Sequence, residues 1–130
     1  MNEPVWVLPD VVLAIHQMLL TEHGGSSGIR DEAMLDSVLH RPKQHFVYDE
    51  EVTIWDIAAS YSCGIVKNHP FIDGNKRTAL TIGAVFLELN GYSLNAPEAE
   101  AVLIFEQLAA GNISENILSK WYEESSSANA

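Results

Sequence analysis

The chain has 130 residues, 47% of them hydrophobic and 19% charged, a composition that suits one soluble domain and is too apolar for a disordered protein. Eighteen acidic residues against seven Lys and Arg give a formal charge of −11, which disfavours direct binding to nucleic acid or to an anionic membrane. The single cysteine, Cys63, excludes an internal disulfide. No apolar stretch is long enough to span a membrane and no signal-peptide pattern opens the chain, so the expected location is the cytoplasm.

Two helices are predicted in the first third of the chain. Pro9 opens a segment whose apolar residues recur at helical spacing, and the pair Gly24-Gly25 closes it. After a turn rich in Gly and Ser, acidic residues begin a short second helix over residues 31–40. Pro42 is expected to end this helix, because proline in a helix interior removes a backbone hydrogen bond.

Two strongly apolar helices are predicted in the middle of the chain. Thr53 and Asp56 have the spacing of a capping box, with Asp in place of the usual Glu, so the third helix begins there and runs to about Asn68. The fourth helix, from Asn75 to about Asn90, has almost no polar face. We therefore expect it to be the buried central helix.

Two further helices are predicted in the last third. Pro97 suits the first position of a fifth helix, which runs to about Gly111. Ser114 caps a sixth helix over residues 115–124. The small, polar tail at residues 125–130 is expected to fray.

The predicted architecture is a single all-α domain. Only residues 44–48 or 92–94 have the composition of a short hairpin-like extension. No repeat and no linker divides the chain. Residues 1–130 are therefore expected to form one compact domain of about six helices with a buried central helix.

Candidate chemistry is concentrated between the third and fourth helices, in the sequence HPFIDGNKRT at residues 69–78. Lys76 and Arg77 fall in the first turn of the fourth helix, where the helix dipole is positive and each cation is unfavourable by roughly 0.3–1 kcal/mol. Free backbone amides, the preceding Gly74 and two cations are together typical of an anion site, most naturally one for phosphates. The alternative is a surface turn whose cations point into water.

Two further residues of this segment suit phosphate chemistry. His69 can accept a proton from an incoming hydroxyl near neutral pH. Asp73 can hold a Mg²⁺ ion that bridges phosphate oxygens. Arg30 and Asp31 are interpreted as a turn-to-helix pair rather than as catalytic residues, with a contact of Arg30 to the nucleotide or the target as the alternative. The other histidines lack ligand spacing and are expected at surface or supporting positions: His16, His23, His40 and His45.

The segment HPFIDGNKRTAL resembles the signature of the Fic/Doc superfamily, HPFx(D/E)GNGRxxR, and in particular its Doc (death-on-curing) toxin branch. Residues 28–31, the pair Arg41-Pro42 and the pair Asn90-Gly91 also look like Doc landmarks. The resemblance covers roughly residues 8 to 110. It implies a helical Fic/Doc (Fido) domain whose loop binds a nucleoside triphosphate.

The resemblance also implies a role for each residue of the loop. His69 would be the catalytic base, Asp73 the Mg²⁺ ligand and Phe71 the anchor of the loop in the core. ATP with Mg²⁺ would be the co-substrate. Four consecutive residues would form the phosphate cradle, and the second of them would also cap the fourth helix: Gly74, Asn75, Lys76 and Arg77.

Two positions depart from the general Fic pattern in the direction of Doc. Lys76 replaces the second glycine and Leu80 replaces the final arginine; the Doc branch transfers the γ-phosphate rather than AMP. The resemblance therefore implies a toxin kinase that modifies a translation factor, with elongation factor Tu as the family's expected target. Residues 119–124 match the Fic inhibitory helix except at the last residue. Inhibition of the toxin is therefore expected to come from a separate Phd-like antitoxin. An AMP transferase and an inactive Fic-like binding module remain the alternatives.

Overall fold

The computed structural model describes residues 1–129. Its elements are α1 (Pro9–His23), α2 (Glu32–Tyr48), α3 (Ile54–Asn68), α4 (Asn75–Leu89), β1 (Tyr92–Leu94), α5 (Glu98–Ala109), α6 (Glu115–Glu124) and β2 (Ser126–Ala128). The predicted all-α class with six helices is confirmed. Within the described residues, no helix is both long enough and apolar enough to cross a membrane.

The buried central helix is α3 rather than α4. Ten consecutive residues of α3, 57–66, are buried, and the helix packs against α2, α4 and α6. Small side chains permit this packing on several sides: a Cβ added at Gly64 would lie 2.9 Å from a methyl carbon of Val38 on α2. The apolar sequence of α4 correctly predicts burial, but central position depends on how closely the neighbouring helices can approach.

Pro42 lies inside α2 and does not end it, contrary to the prediction from sequence. Proline inside a helix costs about 3 kcal/mol, so other contacts must stabilise this segment. Pro42 is itself buried. The adjacent Arg41 donates to the Ser60 hydroxyl at 3.2 Å and to a Glu115 carboxylate oxygen at 2.7 Å. These contacts tie α2 to α3 and α6, and α2 continues to Tyr48.

The chain end forms a small antiparallel sheet. Of the two segments considered for a hairpin-like extension, residues 44–48 belong to α2 instead, whereas residues 92–94 form β1. β1 pairs with β2 in the register Tyr92 with Ala128, Ser93 with Ser127 and Leu94 with Ser126. The expectation of a frayed tail is therefore wrong for Ser126–Ala128, because β1 offers an edge whose backbone groups the tail can pair with. Ala130, the end of that predicted tail, lies outside the described residues.

The predicted capping residues of α3 and α6 are confirmed. The Thr53 hydroxyl accepts the N–H of Asp56 at 3.1 Å, and the Asp56 carboxylate accepts the N–H of Thr53 at 2.9 Å. Ser114 accepts the N–H of Ile117 at 3.2 Å in the same way at the start of α6. These caps satisfy backbone donors that a helix start leaves free. The Thr53–Asp56 pair stabilises the start of α3. The C-terminal end of α3 leads directly into the loop of residues 69–74.

Candidate active site

The loop of residues 69–74 is supported by the segment that connects α1 to α2. The N–H of Arg30 donates to the carbonyl oxygen of Pro70 at 2.8 Å, and the N–H of Ile72 donates to that of Gly28 at 3.1 Å. The two segments thus run alongside each other like a short strand pair. Because a loop with external backbone partners has fewer conformations open to it, this pairing fixes where its side chains point.

Phe71 holds the centre of the loop in the hydrophobic core, with 1% of its surface exposed. Its ring is stacked on that of His16 in α1, with centroids 3.8 Å apart. Asn75 lies beneath the same residue: its side chain accepts the N–H of Phe71 at 3.1 Å and donates to the Phe71 carbonyl at 3.0 Å.

These contacts correct one prediction for Asn75. It does not cap α4, because Gly74 occupies the N-cap position with φ 75° and no side chain caps the helix. The Asn75 side chain is buried and both of its polar atoms bind the Phe71 backbone. The Asn75 side chain thus holds the loop backbone, and its backbone N–H is the group it would offer to a phosphate cradle.

His69 lies at the C-terminal end of α3 in the left-handed conformation, with φ 46°. Such a conformation is strained for a residue other than glycine and needs support from its surroundings. Arg30 supplies it: its Nε donates to the His69 carbonyl at 2.6 Å and its Nη2 to the Asn68 carbonyl at 2.8 Å. A cation is also favoured at this negative end of the helix dipole. His69 is exposed and its ring makes no hydrogen bond within residues 1–129, so one nitrogen of the neutral ring is available as an acceptor.

Asp73 is exposed, and each of its carboxylate oxygens accepts one backbone N–H. Oδ2 accepts from Ser26 at 3.1 Å and Oδ1 from Gly74 at 2.8 Å. These two hydrogen bonds lower the pKa of the Asp73 carboxyl, with smaller contributions from nearby His16 and Arg77. Hydrogen bonds to the charged form favour it. Asp73 is therefore a carboxylate at neutral pH.

The surroundings of Asp73 fit a Mg²⁺ ion that is shared with a polyphosphate. Both carboxylate oxygens keep lone pairs, because each accepts a single N–H from the protein. No group of three or more His, Cys, Asp or Glu residues among residues 1–129 forms a site for a metal ion alone. Mg²⁺ commonly takes one or two carboxylates, several waters and substrate phosphates. Asp73 would thus hold the ion together with a bound nucleotide.

The start of α4 has the features of an open anion site. The first hydrogen bond of the helix runs from the N–H of Thr78 to the carbonyl of Gly74, so the N–H groups of the three preceding residues are not used by the helix. Its first turn contains no acidic residue. Lys76 and Arg77 are exposed and form no salt bridge within the described part of the chain.

A pocket of about 470 Å³ lies at this helix start, a volume in the range of small-molecule sites. It brings together six of the seven predicted site residues: His69, Asp73, Gly74, Asn75, Lys76 and Arg77. The seventh, Phe71, is buried. Ile72 and Leu80 extend the pocket wall on this side.

The opposite wall of the pocket was missed by the sequence analysis. It consists of Val102, Phe105 and Glu106 of α5. Their spacing places them on one helical face, but nothing in that spacing indicates that the face looks toward the loop. A surface or supporting position was expected for His16, but the sequence does not predict the particular contacts of His16 and Arg30, because both are made with residues more than 35 positions away.

The segment that resembles an inhibitory helix does not line this pocket. It belongs to α6, where Ser119 donates to the Asp56 carboxylate at 2.7 Å and Tyr122 is hydrogen-bonded to Ser62 at 2.7 Å. Both partners are on α3. The residues 119–124 thus hold α6 against the central helix.

The chain is similar to known proteins. The model of the Fic/DOC family matches residues 6–87, a range that includes the whole loop. The chain is 29% identical over 93 residues to "Protein kinase doc" of Escherichia phage P1, an alignment that covers 71% of this chain and 74% of that protein. It is 41% identical over 75 residues to "Toxin Doc" of Mycolicibacterium smegmatis, covering 56% of this chain and 57% of that protein.

Proposed function

Since this chain belongs to the Fic/DOC family, we propose that it is a Doc-type toxin that acts as a protein kinase. It transfers the γ-phosphate of ATP to a hydroxyl group of a translation factor, with elongation factor Tu as the expected target, and so arrests translation in the cytoplasm. The observation that carries the proposal is the meeting of His69, Asp73 and two unpaired cations at the open start of α4. The names of the two relatives, a kinase and a toxin, support the same class.

The start of α4 binds the phosphates in this proposal. Its free N–H groups and the Lys76 and Arg77 side chains attract negative charge. Asp73 would hold the Mg²⁺ ion, which supplies further neutralisation of the phosphate oxygens. The more apolar wall, formed by Leu80, Val102 and Phe105, suits the uncharged part of the nucleotide.

His69 is the general base of the transfer. Its free ring nitrogen accepts the proton of the target hydroxyl as the hydroxyl oxygen bonds to the γ-phosphorus. The bond from that phosphorus to the oxygen bridging the β- and γ-phosphates breaks, and ADP leaves. Lys76 and Arg77 neutralise the charge that accumulates on the phosphates during this step.

Lys76 favours phosphoryl transfer over AMP transfer. A glycine at this position would leave the backbone open to an α-phosphate, whereas a lysine side chain occupies that space and adds a point charge suited to the terminal phosphate. The general Fic signature has an arginine one helical turn after the position of Arg77. Leu80 replaces that arginine here, so this chain lacks the cation. Both residues line the pocket, so both are in a position to affect how the nucleotide lies.

The intact mass of the modified target tests this proposal. Purified elongation factor Tu is incubated with the protein, Mg²⁺ and ATP labelled at either the α- or the γ-phosphate. We expect a gain of about 80 Da, the mass of a phosphoryl group, and label only from the γ-position. A nucleotidyl-sized adduct would instead establish AMP transfer. Failure to bind nucleotide in a thermal-shift assay with Mg²⁺ would favour the inactive binding module.

An antitoxin that acts in trans is the expected partner. The nearest match to an inhibitory helix, residues 119–124, packs against α3 and leaves the pocket open. Ile72 and Val102 at the pocket are apolar and about half exposed, which suits a partner segment that folds on binding. Because this chain carries a charge of −11, binding to an operator would be left to that partner. Expression of the chain alone should arrest growth; a folded, soluble protein without this effect would contradict the scheme.

A further inference from the structure

His16 is the buried histidine of the described chain, with 5% of its surface exposed. It lies on α1, 57 positions from Asp73, yet its Nε2 is 2.8 Å from the Asp73 carbonyl oxygen. A carbonyl oxygen can only accept, so Nε2 must carry the proton and donate it. The same ring is stacked on Phe71, with an angle of 11° between the two planes. His16 does not line the pocket and so touches the loop only from behind.

The bond from His16 fixes one particular peptide plane. The Asp73 carbonyl and the Gly74 N–H belong to the same planar group and point in opposite directions. The Gly74 N–H donates to Oδ1 of the Asp73 carboxylate at 2.8 Å. Holding the carbonyl toward His16 therefore directs the N–H toward the carboxylate. Gly74 is in the left-handed region with φ 75°, and a glycine itself restricts this plane very little.

We propose that His16 is a positioning residue for the Asp73 carboxylate, acting through the Asp73–Gly74 peptide plane. The His16 N–H fixes the orientation of the Asp73–Gly74 peptide plane, and this plane directs the Gly74 N–H toward Oδ1 of Asp73. The N–H then holds Oδ1 in position to bind Mg²⁺ beside a phosphate. Ser26 holds the other oxygen at 3.1 Å. The part of this inference that concerns Mg²⁺ rests on the proposed function; the part that concerns the peptide plane does not.

Three variants separate the hydrogen bond from the packing of His16. His16→Phe keeps an aromatic ring against Phe71 and removes the donor. His16→Gln keeps an N–H donor and removes the ring. Val12→Ala is the matched control, because Val12 is a fully buried core residue of the same helix and its truncation lowers stability through a cavity alone.

Nuclear magnetic resonance of the protein without nucleotide provides the first measurement. In the wild type the ring nitrogens of His16 should show a proton on Nε2. The backbone amide signal of Gly74 should move in His16→Phe but stay near its wild-type position in His16→Gln and Val12→Ala. A wild-type His16 with its proton on Nδ1 alone would overturn the proposal even if His16→Phe fails to fold. So would an unmoved Gly74 signal in a folded His16→Phe.

The second measurement is calorimetric titration with a non-hydrolysable ATP analogue, with and without Mg²⁺. His16→Phe should bind the analogue about tenfold more weakly in Mg²⁺, the lower end of what partners of metal ligands contribute, and with unchanged affinity without Mg²⁺. His16→Gln should recover most of that loss. Val12→Ala should lower the melting temperature while retaining both affinities; an equal loss of Mg²⁺-dependent affinity there would reduce His16 to a structural residue. If the wild type binds no analogue, the proposed function fails, and the Gly74 signal still decides the role of His16.

Discussion

Helices α3 and α4 begin in opposite ways. The start of α3 has a complete capping box in which Thr53 and Asp56 satisfy each other's backbone N–H groups. The start of α4 has no side-chain cap, and its first turn contains Lys76 and Arg77. Every other helix carries at least one acid in its first turn: Asp10 in α1, Glu32 in α2, Asp56 in α3, Glu98 in α5 and Glu115 in α6.

The comparison separates a helix start that is arranged for stability from one that is not. The start of α3 follows the electrostatic preference of a helix, whereas the start of α4 opposes it. A local rule that is broken at one helix and obeyed at the other five is typical of a functional site. The phosphates of the proposed nucleotide would supply the missing negative charge. Substitutions at the start of α3 should therefore lower stability and leave nucleotide binding intact. Substitutions at the start of α4 should weaken nucleotide binding without lowering stability.

The largest expected effect lies at His69, just before α4. His69→Asn removes the base while retaining a residue that tolerates the left-handed conformation. The rate of target phosphorylation should fall by ~10²–10⁴-fold with the melting temperature nearly unchanged. His23→Asn, at an exposed histidine that ends α1, is the control and should retain the wild-type rate. A His69→Asn rate close to that of the wild type would remove His69 from the mechanism.

Lys76 and Lys67 sharpen the comparison, because one lies in the first turn of α4 and the other in the last turn of α3. Each is replaced by Gln, which has a similar helix propensity. Lys76→Gln should raise the free energy of unfolding by ~0.3–1 kcal/mol and weaken nucleotide binding. Lys67→Gln should lower the free energy of unfolding by a similar amount and leave nucleotide binding intact. Urea unfolding and calorimetric titration measure the two quantities. A loss of stability in Lys76→Gln would show that its charge is already compensated in the free protein.

Breaking the capping box should affect stability alone. Thr53→Ala should lower the free energy of unfolding by about 1 kcal/mol, since it leaves the Asp56 N–H without its partner. The affinity for Mg²⁺ and nucleotide should remain that of the wild type, because the box lies at the far end of α3 from the loop. Thr53→Ser is the control and should retain most of the stability. Weaker nucleotide binding in Thr53→Ala would show that the two helix starts are coupled.

The smallest expected effect is the pH dependence of the Asp73 hydrogen bonds. The pKa of Asp73 is lowered in the folded protein, so its contribution is present above the pKa of an unfolded aspartate, about 3.9. It is lost as the pH falls through the folded value. The amide signals of Ser26 and Gly74 should therefore titrate with a midpoint below the ordinary value, and Asp73→Asn should abolish that transition. A midpoint at or above the ordinary value would show that these hydrogen bonds are absent in solution.

Much of the fold follows from contacts between residues close in sequence. Thr53, Ser114 and the apolar spacing of the helices predicted the starts of α3 and α6 and the number of helices, because caps and amphipathic faces depend on residues within about four positions. Pro42 shows the limit of such rules. α2 continues through it, and the neighbouring Arg41 contacts Ser60 and Glu115 on two other helices, contacts that no local pattern contains.

The loop is the part of the site that follows most directly from the sequence. The order of His69, Asp73, Lys76 and Arg77 along the chain places a histidine, a carboxylate and two cations next to a helix start. Their chemistry is local because the backbone between them is short and enters α4 directly.

Only the tertiary structure decided how that loop is held and what faces it. His16 and Arg30 bind its backbone from more than 35 positions away, and α5 closes the pocket with Phe105 and Glu106. The tail became β2 for the same kind of reason, since β1 offered it a partner. Each of these features depends on two distant segments meeting across the packed core, and that meeting is set by how all six helices fill space together rather than by any one segment's own preference.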